Sequence, residues 1–372
     1  LARGYYNSRS QIAARVWTWN DEPIDRAFLR ARLQRAIAAR DGLDRATTNA
    51  WRVVNAESDF LPGLVVDRYA DFAVLQFLTL GVEKRKAEIA ELVAELMEPR
   101  GVYERSDVDV REKEGLTSSV GVLRGDEPPD LVEIRENNFR LLVDVKRGHK
   151  TGFYLDQREN RARVAQCLTS LPQPPLPSPE RTSVQERGEG VPKAGVRGEV
   201  LNVFSYTGGF AVYVCAANVN ACVVNLDASG DALNLARENM RLNQCEARGE
   251  FVEGDAFVLL RKYRDMGKSF DAIILDPPKF VHAQSQLQSG LRGYKDINLL
   301  AFKLLKPGGI LATFSCSGQV SAELFQKVVF EAATDAKRDA QIIARLAQSS
   351  DHPVLLAFPE SEYLNGLVCR VI

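Results

Sequence analysis

Residues 200–227 read VLNVFSYTGGFAVYVCAANVNACVVNLD and hold no charged side chain before Asp227. A membrane-spanning helix would carry Gly208, Gly209 and several asparagines here at considerable cost, so we do not favour that interpretation. A buried strand, a glycine-containing turn, a buried helix and a second buried strand account for the same residues. The stretch therefore predicts a β-α-β unit inside a soluble α/β protein.

The chain after residue 227 continues the alternation of strands and helices. The helix after the second strand has one apolar face, formed by Ala232, Leu235, Ala236 and Met240. Such alternation is typical of a doubly wound parallel sheet. We predict an α/β fold with a seven-stranded sheet, with strands at about 200–205, 221–227, 250–254, 270–276, 310–316, 341–346 and 366–372.

A smaller α+β module is predicted before this sheet, over residues 51–146. Short apolar runs lie there between turn-forming residues, as strands do, and one amphipathic segment predicts a helix. The predicted strands are at about 63–66, 73–78, 131–134 and 139–145, and the helix is at about 82–96. Nothing in this module has the pattern of a catalytic motif.

Residues 1–52 contain ten arginines, no lysine and five acidic residues, a net charge of +5 in a chain whose formal charge is −1. One interpretation is a solvated helix face at about residues 24–40. The other is a surface that binds phosphate groups, because guanidinium groups match phosphate oxygens well. Composition leaves both interpretations open.

The overall composition excludes several classes of protein. With 48 basic and 49 acidic residues in 372, a histone-like nucleic-acid binder is not expected. Six cysteines without a CxxC pair and only three histidines predict neither a disulfide scaffold nor a metal site. The start of the chain lacks the pattern of a signal peptide, so we expect a cytoplasmic protein. Residues 171–198, rich in proline and glycine, predict an inserted loop without chemistry.

Candidate ligand-binding residues lie where the predicted strands end, because ligands of such sheets bind at the carboxyl ends of the strands. Tyr206, Thr207 and Gly208 follow the first strand in a turn that lacks the GxGxxG pattern of a dinucleotide dehydrogenase. Asp227 ends the second strand, where it could accept hydrogen bonds from both ribose hydroxyls of a nucleoside or could cap the next helix. Asp255 and Ala256 follow the third strand, placed to meet an adenine. Together these strand ends indicate S-adenosylmethionine.

Two further strand ends carry candidate catalytic residues. Asp276 precedes Pro277 and Pro278, which fix a rigid extended turn, so its carboxyl group is expected at the mouth of the site, although the motif could simply end the strand. Lys279 could be catalytic, but an exposed turn lysine is the favoured interpretation. Cys316 lies between two serines at the end of the fifth strand. It could be a nucleophilic thiolate or a small buried apolar residue.

Several motifs resemble the bacterial large-subunit ribosomal RNA cytosine-C5 methyltransferase I family, and the resemblance covers nearly the whole chain apart from residues 171–198. They are KTGFYLDQR (150–158), FSYTGGF (204–210), DPPKF (276–280), LRGYKDINLL (291–300), FSCSG (314–318) and DHPV (351–354). The resemblance implies a remnant of a PUA domain over residues 1–22, most of that domain being missing. It further implies a linker helix and small α+β domain over 23–146, and a class I, Rossmann-like, S-adenosylmethionine-dependent domain over 147–372.

The resemblance also implies a reaction on an unpaired cytosine of 23S ribosomal RNA. Cys316 would add to C6 of the base, Asp276 would act at N3, and C5 would then accept the methyl group. The chain has Pro277, Pro278 and Lys279 where commoner RNA cytosine methyltransferases carry a second cysteine, and the base that removes the C5 proton is not identified.

Other functions stay open at this point. Methylation of an amino group would use the acid-Pro-Pro-aromatic motif without Cys316, and an RNA-binding assembly factor could retain a degenerate methyltransferase fold. A nicotinamide dehydrogenase is the least favoured, because its glycine motif is lacking. The sequence does not decide between a monomer and a homodimer.

Overall fold

The computed structural model describes residues 2–169 and 198–372. These residues form two compact units. The first extends to residue 159 and also includes residues 348–362, and the second contains the described residues of 160–347 together with 363–372. The inserted loop predicted at 171–198 lies outside the described residues apart from residue 198. The domain boundaries expected near residues 22 and 146 stay predictions.

The first unit is built around a five-stranded sheet with the strand order β3-β4-β5-β6-β7. Its β5–β6 pair is parallel and its other pairs are antiparallel, and β1–β2 and β8–β9 form two further antiparallel pairs. The strands are β1 (Arg3–Tyr6), β2 (Ala14–Thr18), β3 (Ala50–Asn55), β4 (Leu64–Tyr69), β5 (Phe72–Phe77), β6 (Gly101–Ser106), β7 (Ser119–Gly125), β8 (Val132–Glu136) and β9 (Phe139–Val143). The helices are α1 (Arg26–Ala38), α2 (Leu80–Glu83) and α3 (Lys86–Met97).

Helix α1 begins where Asp25 caps it, since the Asp25 carboxylate accepts a hydrogen bond from the Phe28 N–H at 3.0 Å. Its apolar face packs into the core of the unit through Leu29 and Leu33. The single helix predicted at 82–96 is wrong in one respect, because the structure has two helices there. The break falls at Arg85, whose backbone (φ −107°, ψ 8°) is not helical.

The second unit holds a seven-stranded mixed sheet among residues 198–372, with the order β12-β11-β10-β13-β14-β16-β15. Its strands are β10 (Gly198–Val203), β11 (Ala221–Asp227), β12 (Gly249–Glu253), β13 (Phe270–Leu275), β14 (Leu305–Ser315), β15 (Ala340–Leu346) and β16 (Asn365–Val371). Its helices are α5 (Gly209–Ala217), α6 (Gly230–Leu242), α7 (Ala256–Asp265), α8 (Leu287–Leu304) and α9 (Ala322–Asp335), while α4 (Arg158–Leu168) contains the boundary between the units. Short 3-10 turns occur at Ala56–Asp59, Asp109–Glu114, Leu155–Gln157, Glu246–Arg248, Gln284–Gln286 and Pro359–Ser361.

The prediction of a wholly parallel sheet is wrong for the last strand, β16. Strands β10 to β14 pair in parallel, whereas β16 runs antiparallel to both β14 and β15. A parallel connection from β15 to β16 would need a crossover, usually a helix, and residues 347–364 contain only a 3-10 turn. The chain therefore enters β16 from the opposite end.

Residues 200–227 form β10, α5 and β11, as the uncharged stretch predicted. Two of its asparagines, Asn202 and Asn225, are buried side by side on neighbouring strands, with a hydrogen bond of 3.0 Å between their side chains. Among residues 2–169 and 198–372, no helix is long and apolar enough to cross a membrane. The same residues contain no cluster of His, Cys, Asp and Glu that could hold a metal ion.

Candidate active site

The carboxyl ends of five parallel strands bring the predicted site residues to one edge of the sheet. In the register of the sheet, Val203 lies level with Leu226 and Leu275, and Leu275 lies level with Thr313. The segments that follow these positions are therefore neighbours. Each of them carries at least one residue that the sequence analysis selected.

The turn after β10 has an unusual backbone. Phe204 (φ 59°), Tyr206 (φ 46°) and Gly208 (φ 77°) all adopt the left-handed conformation, which non-glycine residues adopt at an energetic cost. A Cβ atom on Gly208 would lie 2.9 Å from the Cβ of Ala236, so this glycine also permits close packing against α6. Strain of this kind persists where the surrounding structure fixes the backbone, and it is frequent at functional sites.

Asp227 is hydrogen-bonded to this turn. One of its carboxylate oxygens accepts a hydrogen bond from the Tyr206 N–H at 2.8 Å, and the other accepts from the Ser229 N–H at 3.0 Å. Ser229 is the residue that caps α6, so the alternative in which Asp227 caps that helix is wrong. Each carboxylate oxygen has two lone pairs, and one on each oxygen stays available for a hydroxyl donor.

Asp255 and Ala256 begin α7. The Asp255 carboxylate caps this helix by accepting a hydrogen bond from the Val258 N–H at 2.9 Å, and its side chain is exposed. Ala256 is buried. Asp255 thus has a structural task that the sequence analysis did not assign, and a contact with adenine stays a prediction.

Asp276 and Cys316 follow the neighbouring strands β13 and β14. The Asp276 N–H donates to the Val203 carbonyl at 3.4 Å, which links the end of β13 to the end of β10. The Cys316 Sγ lies 3.8 Å from the carbonyl oxygen of Pro277, the residue after Asp276. Both side chains are half-buried. Lys279 is exposed, as interpreted.

A hydroxyl pair that the sequence analysis missed connects the segments around Asp276 and Cys316. Buried Tyr294 on α8 and Ser317 share a hydrogen bond of 2.9 Å, and the Ser317 Oγ accepts from the Val281 N–H at 3.3 Å. Burial raises the pKa of Tyr294, which keeps its hydroxyl protonated. This pair holds the residue after Cys316 against the end of the 276–281 segment.

Phe280 anchors the same segment through an aromatic cluster. Its ring centroid lies 4.8 Å from that of Tyr294, 5.9 Å from that of Phe257 and 6.4 Å from that of Phe204. A Cβ atom on Gly290 would lie 2.8 Å from the Phe280 carbonyl oxygen, so only glycine lets α8 approach this closely. The spacing of small and aromatic residues in LRGYKDINLL was the sequence signal for this packing. Spacing alone does not reveal that Phe280 is the partner of α8.

Two buried hydroxyl groups at the turn after β10 have no hydrogen-bond partner among the described residues, the Ser205 Oγ and the Thr207 Oγ1. A buried polar atom without a partner is costly, and a polar ligand that reaches it removes that cost. Together with the remaining lone pairs of Asp227, these hydroxyls fit a nucleoside cofactor that carries hydroxyl and amino groups.

The fold and this edge of the sheet define a class I S-adenosylmethionine-dependent methyltransferase. The sequence profile of a family described as S-adenosylmethionine-dependent methyltransferase matches residues 181–356. A solved structure from Streptococcus mutans, assigned as a SAM-dependent methyltransferase, superposes with a TM-score of 0.81 at 20% identity, covering 100% of this chain and 88% of that one. A second solved structure with the same values is a methyltransferase complexed with SAH. S-adenosylmethionine is accordingly the cofactor, and Asp227, Tyr206, Thr207, Gly208, Asp255, Ala256 and Asp276 stay the predicted binding residues.

The chain belongs to the ribosomal RNA large subunit methyltransferase I family. Proteins of that name are 46% identical to it in Enterobacter sp. (strain 638), where the match covers 100% of this chain and 88% of the relative. In Klebsiella pneumoniae (strain 342) the identity is also 46%, over 100% of this chain and 87% of the relative.

Proposed function

We propose that the protein transfers a methyl group from S-adenosylmethionine to C5 of an unpaired cytosine in 23S ribosomal RNA, with Cys316 as a covalent nucleophile. The names of its relatives support the large-subunit RNA as substrate. The observation that carries the chemistry is the placement of the Cys316 Sγ 3.8 Å from the carbonyl oxygen of Pro277, directly after Asp276. This distance supports the proposal, because Cys316 and Asp276 follow neighbouring strands.

Cys316 activates the base in this proposal. Cytosine C5 is a weak nucleophile, and addition of the Cys316 thiolate to C6 places the electron pair of the C5–C6 double bond on C5 and the ring. The cofactor supplies an electrophilic methyl group bound to a positively charged sulfur. C5 of the adduct would take this methyl group as the methyl–sulfur bond breaks and S-adenosylhomocysteine leaves. A base would then remove the C5 proton, and the C6–S bond would break to restore the double bond and the Cys316 thiolate.

Asp276 acts at N3 in this proposal. The charge that develops when Cys316 adds to the ring is delocalised onto N3, and a carboxyl group there can donate a proton or a hydrogen bond to it. The rigid turn of Pro277 and Pro278 fixes the direction in which Asp276 enters the site. An unpaired cytosine reaches such a pocket more readily than a paired one, because no stacking or pairing has to be broken.

The test compares methyl transfer from labelled S-adenosylmethionine to unmodified 23S ribosomal RNA by the wild type, Cys316→Ala and Cys222→Ala. Cys222 is a matched control, since it is also half-buried but lies near the amino end of β11. We expect label on cytosine C5, a fall of at least about a thousandfold in Cys316→Ala, and little change in Cys222→Ala. Label that survives in Cys316→Ala, or that lies on an amino group, would contradict the adduct.

Two further assignments belong to this proposal. The antiparallel β1–β2 pair supports assigning residues 1–22 to the C-terminal remnant of a PUA-like domain, a small module expected to contact RNA. A ribosomal RNA substrate places the protein in the bacterial cytoplasm.

A further inference from the structure

Ion pairing separates the arginines of residues 1–52 into two groups. Most of them lie beside carboxylates within the first unit, in the pairs Arg3–Asp21, Arg15–Glu114, Arg26–Glu95, Arg30–Glu95, Arg40–Asp59, Arg45–Asp41 and Arg52–Asp67. Arg9, Arg32 and Arg35 form no ion pair with any carboxylate that the structure describes, and of these three Arg32 and Arg35 lie on the same helix as Arg26 and Arg30. Two guanidinium groups close to each other without a carboxylate partner favour an external anion.

Both guanidinium groups lie against aromatic rings. The guanidinium carbon of Arg35 is 4.2 Å from the ring centroid of Phe60, and that of Arg32 is 5.3 Å from Phe60 and 4.9 Å from Phe28. Stacking occupies the flat face of a guanidinium group, whereas its N–H donors lie at its edge. Arg32 uses one of these donors on the Trp17 carbonyl, at 3.3 Å. The other donors remain for a ligand.

The backbone of Phe60 has an energetically unfavourable conformation. It ends a 3-10 turn in the left-handed conformation, with φ 59°, and its ring is 36% exposed. Left-handed backbone is a genuine outlier for a bulky residue, and an exposed phenylalanine contributes little to the core. The fold therefore holds the Phe60 ring against Arg32 and Arg35, although this ring stabilises the core little.

A surface groove of 560 Å³ lies beside these arginines. Its apolar lining is Pro23, Ala27, Phe28 and Ala31, and its charged lining is Glu22, Asp25, Arg32 and Arg35. The two carboxylates are engaged within the protein, since Asp25 caps α1 and Glu22 accepts from Thr18. Burial, and secondly the charge of Arg35, lower the pKa of Arg32, and the charge of Glu22 acts in the opposite direction. An anion that approaches Arg32 and Arg35 would relieve their mutual repulsion.

An exposed tryptophan lies near these residues in the chain. Trp19 is 77% exposed and stands in the sequence between Trp17, whose carbonyl accepts from Arg32, and Glu22, which lines the groove. An exposed aromatic side chain together with arginine donors is a combination with which proteins bind single-stranded nucleic acid.

We propose that this groove binds the backbone of unpaired RNA, with Arg32 and Arg35 donating to phosphate oxygens and Trp19 stacking on a base. This inference rests on the proposed function, because it takes the substrate to be RNA. The inference assigns one interpretation to each group of arginines. The arginines in ion pairs are structural, whereas Arg32 and Arg35, which lie against Phe60, bind phosphate. The groove thereby orients the RNA independently of the methyl-transfer chemistry.

The experiment measures binding of a single-stranded 23S ribosomal RNA fragment by full-length protein at several salt concentrations. The test variant is Arg32→Gln/Arg35→Gln, and its matched control is Arg26→Gln/Arg30→Gln, which removes the same charge from the same helix. We expect the slope of log K against log salt to become shallower by about 1.4 in the test variant, from two lost phosphate contacts, and by much less in the control. Trp19→Ala should weaken binding roughly fivefold or more at an unchanged slope.

The outcomes separate the two proposals. A wild type that neither binds nor methylates the RNA would overturn the proposed function and this inference with it. A wild type that does both, with equal slopes in the two double variants, would overturn this inference alone. Urea denaturation of every variant, followed by the fluorescence of Trp17 and Trp51 in the first unit, shows that a loss of RNA affinity is not a loss of folding.

Discussion

Two clusters of buried polar side chains, one around Asp351 in the first unit and one in the turn after β10 in the second unit, differ in how many hydrogen-bond partners they have. In the first unit, the carboxylate of Asp351 is fully buried and receives four contacts, from both Arg158 terminal nitrogens at 3.1 Å, from the Arg52 N–H at 2.8 Å and from His352 at 3.1 Å. In the second unit, the hydroxyl groups of Ser205 and Thr207 are buried without a described partner.

The network of the first unit extends well beyond Asp351. Arg40 forms a bidentate pair with Asp59 and also donates to the Asp351 carbonyl at 2.9 Å. Arg52 forms a second bidentate pair with Asp67. A buried network in which each charge has partners specifies one arrangement of the chain, whereas unpartnered groups at strand ends keep capacity for a ligand. The Asp351 network therefore maintains the fold, whereas the unpartnered hydroxyl groups are available to bind a ligand.

The largest effect should follow from breaking the Asp351 network. Asp351→Asn leaves Arg158 buried beside a neutral group, so we expect the free energy of unfolding of the first unit to fall by about 3–5 kcal/mol. Urea denaturation followed by tryptophan fluorescence measures this unit selectively, because Trp17, Trp19 and Trp51 all lie in it. Asp41→Asn, which breaks the exposed pair with Arg45, should change the free energy by less than about 1 kcal/mol. Equal losses in the two variants would remove the basis of the comparison.

The pH dependence of the first unit should be the next largest effect. Burial, and then the charge of Arg52, lower the pKa of His352, although its hydrogen bond to Asp351 acts in the opposite direction. The folded state therefore keeps His352 neutral, while an unfolded histidine binds a proton below about pH 6.5. Because the unfolded state then binds more protons, stability is present above pH 6.5 and is lost as the pH falls below it, by up to about 1.4 kcal/mol per pH unit.

Urea midpoints measured between pH 7.5 and 5 test this dependence. His352→Asn removes the titration and should flatten the profile, whereas replacement of exposed His282 in the second unit should leave it unchanged. A wild type that gained stability as the pH fell through this range would show that His352 is charged in the folded protein.

The smallest predicted effect is a gain in stability rather than a loss. Thr207→Val keeps the shape of the side chain and removes a buried hydroxyl that has no described partner, so the cofactor-free second unit should become more stable by about 1 kcal/mol. The same change should weaken binding of S-adenosylhomocysteine roughly tenfold, as measured by calorimetry. Hydrogen exchange of the β10 amides measures the stability. A destabilised variant with unchanged cofactor affinity would place Thr207 with the structural residues.

The strands and helices of the second unit could be predicted from the sequence better than the contacts between its side chains. The uncharged stretch of residues 200–227 gave β10, α5 and β11 because burial on both faces leaves a composition that few other structures share. The sharing of a hydrogen bond by Tyr294 and Ser317 could not be predicted, since it depends on where α8 packs. Likewise, the cap formed by Asp255 and the antiparallel direction of β16 depend on local geometry that residue types do not encode. The roles of Asp276 and Cys316 stay predictions until the variants are measured.

The first unit is discontinuous, and this has a consequence for synthesis on the ribosome. Arg158 and Asp351 are 193 residues apart in the chain, yet they form one buried pair. At about 5–20 residues per second, Asp351 emerges roughly 10–40 s after Arg158. During that interval the nascent first unit lacks the carboxylate that Arg158 needs, so it cannot complete its folding as the amino-terminal part of the chain is made. Its maturation therefore waits until nearly all of the second unit has been translated.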